Sequence, residues 1–325
     1  MQVVFVNQQN LRLGIGIILL GLLALGFWLN SEHITRRIMG VKSGVCLEGS
    51  PVAGMLPEEV TEFVAGLAEQ VNREPQEAGY FAETGEIIPA RAGRRVCVAA
   101  TVRRVCRAKP GQHLRILTIT VPPRISESYF QAIYHGSPKK PQVALAVNVA
   151  WGEEYLPQML KVLAGQKVKV TFFMVGSWVK NFPELFKIMV AGGHEIANHG
   201  LYHGHPLQMN QEELRRLIIE NETLLSNVLG HKPAQLFAPP YGEINPRIVA
   251  VAAKSGYRTI MWSVDTLDWK NPTPESLLQR VLAKIGPGAI ILMHPTIASR
   301  EALLPLIQAL KKRGLKPVTV SEVLK

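Results

Sequence analysis

The sequence predicts an α/β fold over residues 142–325, a parallel sheet or barrel, preceded by a small α+β domain and an N-terminal apolar helix. Three observations carry this. Short apolar segments recur at Val143–Val149, Val168–Val175, Glu195–Asn198, Gln235–Ala238, Thr259–Ser263, Ala289–Met293 and Pro317–Val320. Amphipathic helical patterns lie between most of them, and strands alternating with helices imply parallel pairing. The helix ends are also marked. Asn210 with Glu213 has capping-box spacing, and Asn245-Pro246 and Thr273-Pro274 each place a cap before a proline at the first helical position. Gly192, Gly230, Gly256 and Gly314 are the expected C-caps.

At the other end of the chain, Leu13–Leu29 is an uninterrupted apolar run of 17 residues, with Arg12 before it and His33, Arg36 and Arg37 after it. That length is at the short end of what spans a bilayer. The reading is a cytoplasmic N-terminus over 1–12 and a transmembrane anchor over 13–29. A cleaved signal sequence is the competitor, because Ala24-Leu25-Gly26 offers a small-x-small site. Either way the remainder is expected outside the cell membrane, anchored in the first case and secreted in the second.

Residues 40–123 read as the small α+β domain. Leu56-Pro57-Glu58-Glu59 opens a helix running to about Val71, and Gly85-Glu86-Ile87-Ile88-Pro89 is a turn followed by a short strand. Residues 124–141, with Ser137-Pro138-Lys139-Lys140-Pro141, read as a linker to the C-terminal domain.

The chain has 36 Lys and Arg against 25 Asp and Glu. This basic surplus forms no run dense enough for a nucleic-acid arm, and anionic wall polymers or lipid head groups are the functional alternative to a basic soluble surface. Cys46, Cys97 and Cys106 are odd in number and lack metal-ligand spacing, which argues against a disulfide scaffold and a zinc finger.

In an alternating fold, functional residues gather where strands end. After the third strand stand His199 and His203, four apart and able to converge on one metal ion, flanked by His194 and His205. After the fourth comes Pro239-Pro240-Tyr241-Gly242, a rigid turn suited to presenting a backbone N–H. The fifth leads to Asp265-Thr266-Leu267-Asp268-Trp269, which contains the only two aspartates of the chain, and the sixth to Leu292-Met293-His294-Pro295.

This ordered set resembles the polysaccharide deacetylase family, also called the NodB homology family or carbohydrate esterase family 4, over about 185 residues from roughly 140 to 325. The resemblance implies a distorted (β/α) barrel over 142–325 and removal of an N-acetyl group from chitin-like or peptidoglycan sugars by a metal-bound water. The enzyme class implied is a hydrolase of carbon–nitrogen, non-peptide bonds. By position His199 and His203 match the ligands of a divalent metal, zinc being the expected ion. Tyr241 matches the oxyanion-hole residue. His294 matches the general acid, with Asp268 as its tuning partner, while Trp269 and Leu292 match the walls of the acetyl pocket, to which Trp151 is added as a substrate-binding residue. Residues 40–123 resemble, more distantly, small peptidoglycan-binding domains. The implied partners are an N-acetylated glycan, peptidoglycan or a relative of it, and the membrane, with no nucleic acid.

The first family motif departs. Where two carboxylates should supply the base and a metal ligand, the chain reads Asn148-Val149-Ala150-Trp151-Gly152, and Asn148, at the base position, has a carboxamide that cannot accept a proton at physiological pH. Where an Arg should precede Pro239-Pro240-Tyr241-Gly242 stands Ala238. These losses are coupled, since an Arg facing a neutral Asn would be an unpaired buried charge. The Trp-Gly of the first motif also resembles a sporulation-linked subgroup. Two functions are therefore expected as alternatives: a deacetylase of wall or spore-wall glycan, with Glu153 or Glu154 standing in for the lost carboxylate, or a catalytically inactive glycan-binding or scaffolding protein of the envelope.

Overall fold

Alternation along Gln142–Val149 (β1) sets the architecture of the C-terminal part. Val143, Leu145, Val147 and Val149 pack with helix residues such as Leu156, Met159 and Leu306 in one core cluster. Ala144 and Ala146 face a second cluster with Phe173, Ala197, Ala238 and Ile260. The strand is therefore buried on both faces, as a parallel strand between a barrel interior and a helical layer must be.

The computed structural model describes residues 32–81 and 83–325. The chain divides into two units, one ending at Gln76 and resuming over Arg91–Pro123, the other formed by Glu77–Ala90 and Arg124–Lys325. The anchor expected over 13–29 lies outside the described residues. Among those described, no helix is long and apolar enough to cross a membrane.

In the first unit the helix Pro57–Val71 starts at the expected Pro-Glu-Glu, with Glu59 accepting the Leu56 backbone N–H. It buries Val60, Val64 and Ala68 against Val45, Leu47, Val96 and Val105. The strands are short: Gly93–Val96 pairs antiparallel with Thr118–Val121, and Cys46–Leu47 pairs with Ser50–Pro51 and His113–Leu114. All three cysteines are free thiols.

The main sheet of the second unit has eight parallel strands. After β1 come β2 (Thr171–Met174), β3 (Glu195–Asn198), β4 (Leu236–Phe237), β5 (Arg258–Thr259), β6 (Val264–Asp265), β7 (Ile290–Met293) and β8 (Lys316–Val318). Their order is β5-β4-β3-β2-β1-β7-β6, with β8 also paired to β1. Strands β5 and β6 are the two ends of this path, yet Thr259 and Val264 are five residues apart, a reach of at most about 17 Å. The sheet must therefore curl until its ends nearly meet, giving an incomplete barrel. The segment expected as one strand, Thr259–Ser263, is instead this crossing: Ile260 bridges Ile133, and Ser263 N–H donates to Ile290 O.

The expected domain edges shift. Residues 77–90, read as part of the small domain, form a hairpin tied to the C-terminal unit: Ala78 N–H donates to Ile125 O, and Ala90 N–H to Glu127 Oε1. Residues 124–141 are not a free linker either. Ile133 bridges Ile260, His135 bridges Ala289, and Ser137 N–H donates to Val323 O. Most of these ties are made by backbone groups, which carry no compositional signal, and the Glu127 carboxylate adds one.

Candidate functional site

A cavity of about 360 Å³ opens at the C-terminal ends of the strands, and it gathers the motif residues that the sequence had scattered. Asn148 and Trp151 come from the end of β1, His199 and His203 from that of β3, Tyr241 from the turn after β4. Trp269, Leu292 and His294 complete the predicted set on its wall, and Asp268 stands behind His294, fully buried. Ala150, Gly242 and Asp265, named in the motifs but given no role, also line it, and so does Trp262, which sequence reasoning missed.

His199 is fixed by a buried amide network. Asn198 Oδ1 accepts from Gly200 N–H and from Asn221 Nδ2, and Asn198 Nδ2 donates to Ile218 O. Asn221 sits on the helix Gln211–Leu229, so this network ties the loop after β3 to that helix. His199 N–H donates to Met174 O, and its Nδ1 lies 2.7 Å from Ala238 O. That contact makes Nδ1 the protonated nitrogen and leaves Nε2 as an acceptor. Burial, then the neighbouring His203, pushes the His199 imidazole down to about 3, and burial likewise lowers His203. The two rings stand 5.1 Å apart at 59°.

The turn after β4 is strained in a useful way. Tyr241 adopts φ 58, ψ 3, an uncommon conformation for a non-glycine residue, and Gly242 follows at φ 67. A Cβ on Gly242 would meet Trp262 at 2.5 Å, so the turn needs glycine to lie on that indole. Tyr241 stacks on His205 at 4.0 Å, and His205 Nδ1 is 2.8 Å from Glu243 Oε1.

On the opposite wall Asp268 accepts from His294 N–H at 2.6 Å, from its imidazole Nδ1 at 2.8 Å and from Ser299 Oγ. Trp151 stacks on His294 at 5.8 Å and 10°. Gly152 permits this stack: it has φ 83, and a Cβ there would fall 2.0 Å from Pro295 O.

The end of β1 is different. Asn148 is 5% exposed, and its Oδ1 is buried without a hydrogen-bond partner. Its Nδ2 is neither hydrogen-bonded nor among the sealed atoms, so the amide turns a donor towards the cavity. Val149 is fully buried in the outward-facing core. Glu153 and Glu154 do not line the cavity. Among the described residues, no three His, Cys, Asp or Glu side chains come together as a metal site. Two imidazoles without a carboxylate fall short of the three protein ligands of an open divalent site, so the implied metal does not fit this donor set.

Residues 135–260 match the family model described as Polysaccharide deacetylase. The chain is 41% identical over 194 residues to the uncharacterized protein YlxY of Bacillus subtilis (strain 168), covering 60% of this chain and 60% of that protein's length. It is 36% identical over 177 residues to a peptidoglycan-N-acetylglucosamine deacetylase of Bacillus cereus, covering 53% of this chain and 82% of that one. Among solved structures, a wild-type CE4 family pseudoenzyme from Bacillus anthracis superposes with a TM-score of 0.59 at 35% identity, over 82% of this chain and 94% of that one. With the curled parallel sheet and the ordered motifs at its rim, these likenesses establish that the chain belongs to the polysaccharide deacetylase family, carbohydrate esterase family 4.

Proposed function

We propose that the C-terminal unit is a receptor for N-acetylated envelope glycan, peptidoglycan or a related polymer, in which the hydrolytic half of a deacetylase site has been dismantled. The observation that carries this reading is the end of β1: an amide at Asn148, and Val149 packed into the core, where the family pattern calls for two carboxylates. The likeness to a CE4 family pseudoenzyme supports it.

What remains is suited to binding. Leu292 and Trp269 give the cavity an apolar wall for an acetyl methyl group, and Asn148 Nδ2 offers a donor for the acetyl carbonyl. Trp151, Tyr241 and Trp269 are 42%, 56% and 51% exposed around the rim, giving flat apolar faces for sugar rings. Asp268 holds His294 in one orientation, and His294 in turn backs Trp151. This reading puts the protein outside the membrane, with the apolar run over 13–29 as its anchor.

One observation favours residual hydrolysis as a second reading: the Asp268–His294 pair and the imidazole pair persist. Loss of a positioned general base costs about 10²–10⁴ in rate. The full chain should bind N-acetylated chitooligosaccharide or peptidoglycan fragments equally with and without EDTA, and should release no acetate above the blank. Metal found at one equivalent together with acetate release, abolished by Glu153→Gln or Glu154→Gln, would establish the hydrolase instead.

A further inference from the structure

The N-terminal unit carries a charge feature that the glycan site does not use. Between Arg91 and Pro123 the chain holds seven arginines and Lys109, and no Asp or Glu. Arg103, Arg104, Arg107 and Lys109 crowd the last turn of the helix Val98–Cys106 and the residues just after it, all exposed. Arg94 on the adjoining strand and Arg115 are exposed as well.

None of these six side chains makes a hydrogen bond or ion pair with any described residue. Several arginines elsewhere do. Arg215 pairs with Glu212, Arg300 with Glu301, and Arg247 donates to the Met209 and Pro206 carbonyls. Glu48, whose carboxylate approaches the segment, accepts the Ile116 N–H. A helix C-terminus favours one or two cations through its dipole. Here four gather, and none donates to the terminal carbonyls, so dipole compensation does not account for them.

The neighbourhood narrows the counter-ion. Residues 91–123 contain no Phe, Tyr or Trp, so the surface lacks stacking platforms for single-stranded bases and for sugar rings. Ile119, at 53%, is the exposed large apolar side chain of this segment, too little to insert into a lipid interface. Guanidinium forks suit phosphate, and Arg103 in the last turn and Arg107 at the C-cap, four apart, are spaced about 5–6 Å at their Cβ atoms. That spacing suits successive phosphates of an extended chain.

We infer that the N-terminal unit binds a linear polyol-phosphate polymer through this unpaired arginine cluster. The interaction is a counterion-release contact, independent of the acetyl cavity.

The test uses the full chain and poly(glycerol phosphate) as the probe, with phosphatidylglycerol vesicles and an oligonucleotide as competing arms. Binding to the polymer should weaken by a few hundredfold between about 50 and about 200 mM salt if six cations engage, at roughly 0.7 per phosphate in the log–log slope. The combined variant Arg103→Gln, Arg104→Gln, Arg107→Gln should reduce that slope by roughly 2 and the affinity at least tenfold. Its helix content and its chitooligosaccharide binding should be unchanged, since these positions are exposed and Gln is a good helix former. Absence of polymer binding at low salt, an unchanged slope in the variant, or tighter binding to vesicles or oligonucleotide would each overturn the inference.

Discussion

The Asp268 side of the cavity and the Asn148 side face the same space but are built on opposite terms. Asp268 is fully buried and accepts from three donors, two on His294 and one on Ser299. Asn148, nearly as buried, leaves its Oδ1 with none. The first is a satisfied network that fixes a ring. The second is a polar group whose oxygen has no partner in the wall. Ala238, small and apolar, supplies His199 with a carbonyl and Asn148 with nothing.

The largest effect should come from breaking the satisfied side. Asp268→Ala leaves two part-buried His294 donors and the buried Ser299 hydroxyl without an acceptor, and a buried group so stranded costs about 1–3 kcal/mol. Urea unfolding should show a loss of about 3–5 kcal/mol, with glycan affinity falling as His294 loses its orientation. A loss below about 1 kcal/mol would mean that the network does not constrain the wall.

Between the two sides stands His199, whose charge state can be read by pH. Burial first, and the nearby His203 second, depress its folded pKa to about 3, well below the ordinary 6.5 of an unfolded histidine. The unfolded chain therefore binds the proton more readily. This contribution is fully present above about pH 6.5 and is lost as pH falls towards 3. Over pH 6.5 to 4.5, before most carboxylates titrate, it should amount to about 2–3 kcal/mol. Unfolding free energies of the wild type should fall across that window, and His199→Gln should flatten the slope by that amount.

Much of this contrast was legible in the sequence, because the motif order and the odd residues, Asn148 and Ala238, are identities. The alternating strands and the capped helices were legible for the same reason: Asn210, Asn245 and Thr273 accept the backbone N–H groups their spacing implies. What was hidden depends on the third dimension. Trp262 lies under Gly242 only because the crossing between β5 and β6 passes there, and Asn221 supports His199 from a helix more than twenty residues away in sequence. Gly192 is the C-cap as expected, with φ −63, but the left-handed position falls on the next residue, Gly193, a choice between adjacent glycines that no local pattern dictates. The hairpin of residues 77–90 joins the C-terminal unit through one backbone bond, Ala78 N–H to Ile125 O, and through the carboxylates of Glu77 and Glu127, which read locally as ordinary surface acids.

The smallest stability effect is the sharpest test of the comparison. Replacing a satisfied buried amide by an apolar residue of similar size strands its partners and costs about 1–3 kcal/mol. Asn148 has no partners to strand, and its cross-strand neighbour Phe173 and same-face neighbour Ala146 are apolar and buried. Asn148→Leu should therefore change the unfolding free energy by less than about 1 kcal/mol, in either direction, while removing the one donor that β1 offers the cavity. Affinity for N-acetylated chitooligosaccharide should drop about tenfold, the worth of one hydrogen bond to a buried carbonyl. Stability lost in step with affinity would show that the amide has a structural partner. Affinity retained would show that the acetyl group is held by the Leu292 and Trp269 wall alone. Only the split result, a fold indifferent to the residue and a ligand that is not, fits an amide kept for what enters the cavity.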